Sequence, residues 1–184
     1  GPPAGLILTN DDAITARLDA IAYPGLTANF DAAKSAALAM TLLDWKEYGK
    51  AYGAAMAETA KALAEALAAR GLPVHAAARG FTASHQFALE TRDFGGGQHA
   101  AKLLRQANVL SCGIGLPLAD VDGDLNGLRF GTPEIVRWGM TAKDMPAVAG
   151  FIADVLTGRR AAQSVAPEVA AFRSQFDRLH FVRA

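Results

Sequence analysis

The sequence predicts an α/β chain, with long helices first and a small α+β domain after them. Three observations predict it. Apolar residues recur at helical spacing through most of the first 70 positions, where alanine, the strongest helix former, is abundant. From Val74 onward, short apolar runs bounded by glycine, proline and serine alternate with helical stretches. Gly127-Leu128-Arg129-Phe130-Gly131 then reads as a strand that breaks straight into a helix start at Thr132-Pro133-Glu134. Residues 1–71 form one predicted division and residues 72–184 the other.

Leu6-Ile7-Leu8-Thr9 is a short apolar run and predicts a strand. Asn10 or Asp11 caps a helix whose Ile14, Leu18 and Ile21 fall at intervals of four and three, predicting one buried stripe that ends at Pro24-Gly25. After the loop Leu26–Asn29, Asp31 to Lys46 reads as a mostly buried helix rich in small residues. A break near Tyr48-Gly49 precedes a second helix to Arg70, with Met56, Ala60, Leu63 and Leu67 inward and Glu58, Lys61 and Glu65 outward. Gly71 suits the position just past that helix, and Pro73 prevents continuation. Val74–Ala77, His85–Glu90 and Val109–Cys112 read as strands. Gln98–Ala107 reads as a helix entered from the flexible loop Phe94–Gly97. The polar loop Pro117–Asn126 leads to the Arg129 strand. Thr141 caps a helix built on Met145, Val148, Ile152 and Val155-Leu156, Gly158 closes it, and Pro167–Phe176 forms the last helix.

Composition excludes several classes. Hydrophobic residues make up 51% and charged residues 20%, so the chain can bury a core. Eighteen basic residues balance eighteen acidic ones, which leaves no basic field for nucleic acid or anionic lipid. The single cysteine, Cys112, allows no internal disulfide and fits a reducing compartment. No apolar run reaches the ~20 residues that span a bilayer, and no leader opens the chain, so the expectation is a soluble, cytoplasmic protein without a membrane partner.

Arg129 is the candidate binding residue. A planar guanidinium held in a strand between glycines can donate two parallel hydrogen bonds to a carboxylate. The plainer alternative is an exposed strand residue or half of a structural ion pair.

Gly127-Leu128-Arg129-Phe130-Gly131-Thr132-Pro133, with Arg137 and Gly139, resembles the carboxyl-terminal part of serine hydroxymethyltransferases. Gly1-Pro2-Pro3-Ala4-Gly5-Leu6-Ile7-Leu8-Thr9-Asn10-Asp11 resembles a segment of the same family that follows its Schiff-base lysine. The resemblance implies the end of a fold-type I pyridoxal-phosphate domain with long helices, followed by a small carboxyl-terminal domain. It also implies pyridoxal 5'-phosphate as cofactor, a serine- or glycine-class amino acid as substrate, a role in one-carbon metabolism, and a homodimer. Arg129 matches the family arginine that grips the substrate carboxylate. The catalytic lysine is then expected upstream of Gly1, leaving no catalytic residue in the chain and an isolated chain without activity. Lys34, Lys46, Lys50, Lys61, Lys102 and Lys143 all fall in helical patterns that suit solvation.

Two departures from the family stand out. Pro24-Gly25-Leu26-Thr27-Ala28-Asn29 occupies the place of a glycine-rich loop that binds the neighbouring subunit's cofactor phosphate, and it is shorter here. Thr27 and Ala28 are the cofactor-binding candidates, with Thr27 as a simple helix cap the other reading. Around Ser111-Cys112-Gly113-Ile114 the family's folate-binding asparagine is missing, which leaves tetrahydrofolate dependence open. A folate-independent threonine aldolase or transaldolase, or a non-catalytic split subunit, are the alternatives. Asp120, Asp122 and Asp124 lack the rest of a calcium loop, the four histidines lack metal spacing, and Gly95-Gly96-Gly97 lacks the lysine of a P-loop, so no metal is expected. Cys112 paired with His85 as nucleophile and base has no local support, and a buried thiol is the default.

Overall fold

The structure is a computed structural model that describes every residue except Gly1, Ala4, Phe30 and Ala184. Gly1 and Ala4 of the opening segment therefore lie outside the described residues. Contacts divide the chain into Gly1–Tyr48 with Arg183–Ala184, and Gly49–Val182. Ala60, Leu63 and Leu67 share a core with the strands that follow them, and Met56 packs with Tyr52 and Val136.

In the first unit Asp11 caps helix α1 (Asp12–Ala20), its carboxylate accepting from the Ile14 N–H at 3.0 Å. The predicted strand Leu6–Thr9 is not formed: these residues pair with no other strand among the described residues, and Ile7 and Leu8 are 70% and 83% exposed. Nor is the α1 stripe buried, since Ile14 and Ile21 stay 45% and 47% exposed. The following helix is apolar but equally uncovered, with Met40, Leu42, Leu43 and Trp45 all exposed. Periodicity fixes which face is apolar but not what covers it.

Helix α2 (Ala32–Ala68) runs without the expected break at Tyr48-Gly49. A glycine in a helix interior costs only about 1 kcal/mol against alanine, and the alanine-rich flanks carry the ladder through. Its end follows expectation. Gly71 has φ +82°, the Leu72 N–H donates to Leu67 O at 3.1 Å, and the Gly71 N–H donates to Ala68 O at 2.9 Å.

The second unit is built on a three-stranded antiparallel sheet, β1 (Gln86–Glu90), β2 (Cys112–Ile114) and β3 (Gly127–Gly131), in the order β1-β3-β2. Phe87 lies opposite Phe130 and Leu89 opposite Leu128, and these four side chains are buried against the helices. The predicted Val74–Ala77 strand shrinks to one bridge between Val74 and Leu89. The predicted Val109–Cys112 strand starts three residues later because Val109 is still finishing a helix. Asn108 takes φ +61° and the Val109 N–H donates to Leu104 O, so asparagine serves where glycine usually does.

That helix, α3 (Gly97–Gln106), enters the core through glycines, with Gly95 and Gly96 at φ +75° and +102°. A Cβ on Gly97 would lie 2.0 Å from Gly127 O, so α3 meets β3 backbone to backbone. Asp124 caps it: its carboxylate accepts from the Gln98 and His99 N–H groups at 2.8 and 2.9 Å. Three further helices complete the unit: α4 (Pro133–Arg137), α5 (Met145–Leu156) and α6 (Ala162–Arg173). Thr141 and Asp144 form a capping box ahead of α5. The last helix begins five residues before Pro167, drawn forward by burial of Ala162 and Val165.

Gly97→Ala should destabilise the protein by about 1–3 kcal/mol through overpacking. Gly53→Ala, with nothing within 4 Å of the added carbon, should stabilise it by about 0.5–1 kcal/mol; paired urea melts check both. The Asp124 carboxyl is held below its ordinary range chiefly by the Gln98 N–H, then by those of His99 and Leu125. A depressed folded-state value means the cap's charge stabilises above the unfolded value of about 3.9 and is lost as pH falls through the folded one. Asp124→Asn should therefore lower Tm at neutral pH, with the gap to the parent protein closing below about pH 4 in a pH series of thermal melts.

Candidate functional site

Arg129 occupies the centre of the central strand, opposite Ala88 on one side and Cys112 on the other. Leu128 and Phe130 on either side of it are 0% and 5% exposed, and Phe130 stacks on Phe87 at 5.6 Å between ring centroids. The two-residue period of a strand then turns Arg129 to the opposite, open face of the sheet. There it lines a cleft of about 460 Å³ with His85, Gln86, Ser111, Cys112 and Pro133. Among the described residues no carboxylate pairs with its guanidinium and no acceptor takes a hydrogen bond from it. The structural ion pair considered from sequence is therefore absent among these residues.

The turn after β3 is fixed differently from the sequence expectation. Thr132 is fully buried and does not cap α4. Its hydroxyl donates to Met56 O of α2 at 2.8 Å and lies 3.1 Å from His85 O, while its N–H donates to His85 O at 3.0 Å. Glu134 accepts from the Trp138 indole at 2.9 Å. Arg137 donates to Phe181 O at 3.1 Å, with its guanidinium 4.9 Å from the centre of the Tyr52 ring. Tyr52 and Phe181 were invisible as neighbours in the sequence, because nothing local marks a contact across so many positions.

Cys112 is half-buried, not fully buried as the default reading held, and it lines the same cleft as His85. The Ser111 hydroxyl is buried without a hydrogen-bond partner among the described residues. His75 and Glu90, not singled out from sequence, approach within 3.2 Å. Among the described residues no group of three or more His, Cys, Asp or Glu side chains could hold a metal ion. No helix among them is long and apolar enough to cross a membrane.

Thr27 lies in the first unit, on a cavity of about 530 Å³ shared with Tyr23, Asn29, Asp31, Lys34 and Ser35. Both its N–H and its hydroxyl donate to Ala22 O, at 2.9 and 2.5 Å, so it closes the turn after Pro24-Gly25. It does not cap α2. Asp31 does, accepting from the Lys34 N–H at 3.1 Å. The exposed Ala28 follows Thr27, and its N–H has no partner among the described residues.

No protein-family model matches the chain. It is 62% identical over 183 residues to an alpha-methylserine aldolase of Ralstonia sp, covering 100% of this chain and 42% of that protein. To a serine hydroxymethyltransferase of Methanopyrus kandleri it is 40% identical over 183 residues, covering 98% of this chain and 42% of the relative. Among solved structures, the L-threonine transaldolase of Pseudomonas fluorescens superposes with a TM-score of 0.76 at 27% identity, over 87% of this chain and 36% of that one. The chain thus spans about two-fifths of the length of the curated relatives it matches.

Proposed function

We propose that this chain, which is homologous along its whole length to part of the serine hydroxymethyltransferase-like pyridoxal-phosphate enzymes of fold type I, supplies the amino-acid carboxylate site of an enzyme that breaks or makes the Cα–Cβ bond of β-hydroxy amino acids. One observation carries the proposal. Arg129 stands in an open cleft with its cation unmatched by any described carboxylate. A guanidinium carried on a central strand and facing a cleft is a receptor for a planar anion, and an amino acid brings one.

In this reading Arg129 holds the substrate carboxylate in a bidentate grip. Fixing where the carboxylate lies fixes rotation about the N–Cα bond, and so decides which bond at Cα is presented for cleavage. Pyridoxal phosphate, when bound, supplies the electron sink that such a cleavage needs. The chain's candidate contacts to it are at the Thr27 turn. The Thr27 hydroxyl is spent on Ala22 O, which shapes the loop, and the unpaired Ala28 N–H, beside a cavity that includes Lys34, is the donor left for a phosphate oxygen. No lysine lines the Arg129 cleft, so the covalent amine comes from outside it, and the 184-residue chain alone is expected to be inactive.

Between hydroxymethyl transfer and folate-independent aldol cleavage, two observations favour the aldolase. Ser111-Cys112-Gly113-Ile114 offers no asparagine for a folate, and an alpha-methylserine aldolase is similar to the chain at 62% identity. A homodimer in a reducing, cytoplasmic setting fits the exposed apolar surface of the first unit and the free Cys112 thiol.

In the complete holoenzyme, Arg129→Ala should lower kcat/KM by about ten- to a hundredfold, the worth of a charge-assisted hydrogen bond of ~1.5–3 kcal/mol. Arg129→Lys should recover only part of that, since an ammonium cannot reproduce the fork. Steady-state kinetics with a β-hydroxy amino acid read the result, and an unchanged kcat/KM removes Arg129 from the site. Cleavage that proceeds at the same rate without tetrahydrofolate supports the aldolase; strict dependence on it restores hydroxymethyl transfer.

A further inference from the structure

Arg129 sits on a strand held by two ladders, yet the end of that strand is bolted to the rest of the unit by a separate assembly. Tyr52 of α2 is 7% exposed, and its hydroxyl donates to Pro133 O at 2.7 Å, just where β3 gives way to α4. On its ring stacks Phe181, with centroids 5.1 Å apart and planes 24° from parallel. The Arg137 guanidinium lies 4.9 Å from the centre of the same ring and donates to Phe181 O, and Arg137 O in turn accepts from the His180 N–H at 2.8 Å. The His180 ring covers Gly139, where a Cβ would meet its Nε2 at 2.7 Å. Val136, 2% exposed, packs into the same small cluster with Tyr52 and Met56.

These contacts form a closed circuit. Helix α2 holds the turn through Tyr52 and Met56, α4 holds residues 180–181, and Phe181 returns to Tyr52. None of these side chains lines the Arg129 cleft. The circuit instead fixes the stretch that begins three residues after Arg129, about 10 Å along an extended strand. The ladders fix Arg129 against its neighbouring strands. The bonds at Thr132 and Pro133 add a direct tie from the end of that strand to α2.

We propose that Tyr52 and Phe181 are positioning residues, which set the register of the Arg129 guanidinium against a bound carboxylate. This inference rests on the reading of Arg129 as the carboxylate receptor. Its physical basis is the steep penalty for misplacement, since an error of about 1 Å in a binding group costs on the order of a hundredfold.

The test is a double-mutant cycle in the complete holoenzyme, read as the dissociation constant of a β-hydroxy amino acid from the change in coenzyme absorption on titration. Tyr52→Phe keeps the ring and removes the bond to Pro133 O; it should weaken substrate binding about fivefold, the worth of one buried hydrogen bond. Phe181→Ala should weaken it about tenfold by the same reasoning applied to a lost stacked pair, and Phe181→Tyr should restore it. In an Arg129→Ala background both losses should shrink to less than about twofold, because no guanidinium is left to position. Equal losses in both backgrounds, or no loss in the parent enzyme, overturn the positioning role while leaving Arg129 as receptor. An Arg129→Ala enzyme that binds substrate normally overturns the receptor reading and this inference together.

Discussion

The alternation of side chains along β3 is the constraint from which the rest follows. Leu128 and Phe130 are drawn into the core by their apolar surface, and the pleat then gives Arg129 no choice but the opposite face. A one-residue slip would bury a guanidinium, at a cost of several kcal/mol for an unpaired charge. Register is therefore specified by the core. The ladders to β1 and β2 transmit it, and the backbone-to-backbone meeting of Gly97 with Gly127 holds the strand against α3. The cleft is a consequence of the core as much as a feature of the surface.

What the sequence made legible divides along a physical line. Features decided within a few residues were readable: the Asp11 cap, the close at Gly71, the inward stripe of Met56, Ala60, Leu63 and Leu67, and the glycine-bounded β3. Arg129 stood out for the same local reason. Features decided by distant partners were not. Thr132 has a capping residue's chemistry and a capping residue's position, yet Met56 O, 76 residues away, takes its hydroxyl. Asn108 ends α3 in a left-handed conformation that glycine usually fills, and so moved β2 along the chain. Tyr52 and Phe181 give no sign in the sequence that they meet.

The first unit shows the converse limit. Its helices have the apolar patterns of buried elements, and its caps are in order, but Ile14, Ile21, Met40, Leu43 and Trp45 face outward. Hydrophobic periodicity is a statement about which residues leave water together, not about where their cover comes from. So many large apolar side chains in water are unusual for a surface that stays uncovered. That accords with relatives of more than twice this length.

Charge is where fold and candidate site meet. The polar loop before β3 is bound to α3, since Asp124 spends its carboxylate on the first turn of α3 and the Gly97 N–H donates to Leu125 O, two residues before β3. Elsewhere the acids are also engaged: Glu134 with Trp138, Asp144 with Thr141, Asp154 and Glu168 with Arg160, Glu90 with His75. These acids are committed away from Arg129. The commitment is structural, since each of these carboxylates pins an end of an element or a neighbouring side chain. Arg129 faces its cleft with no described carboxylate paired to it.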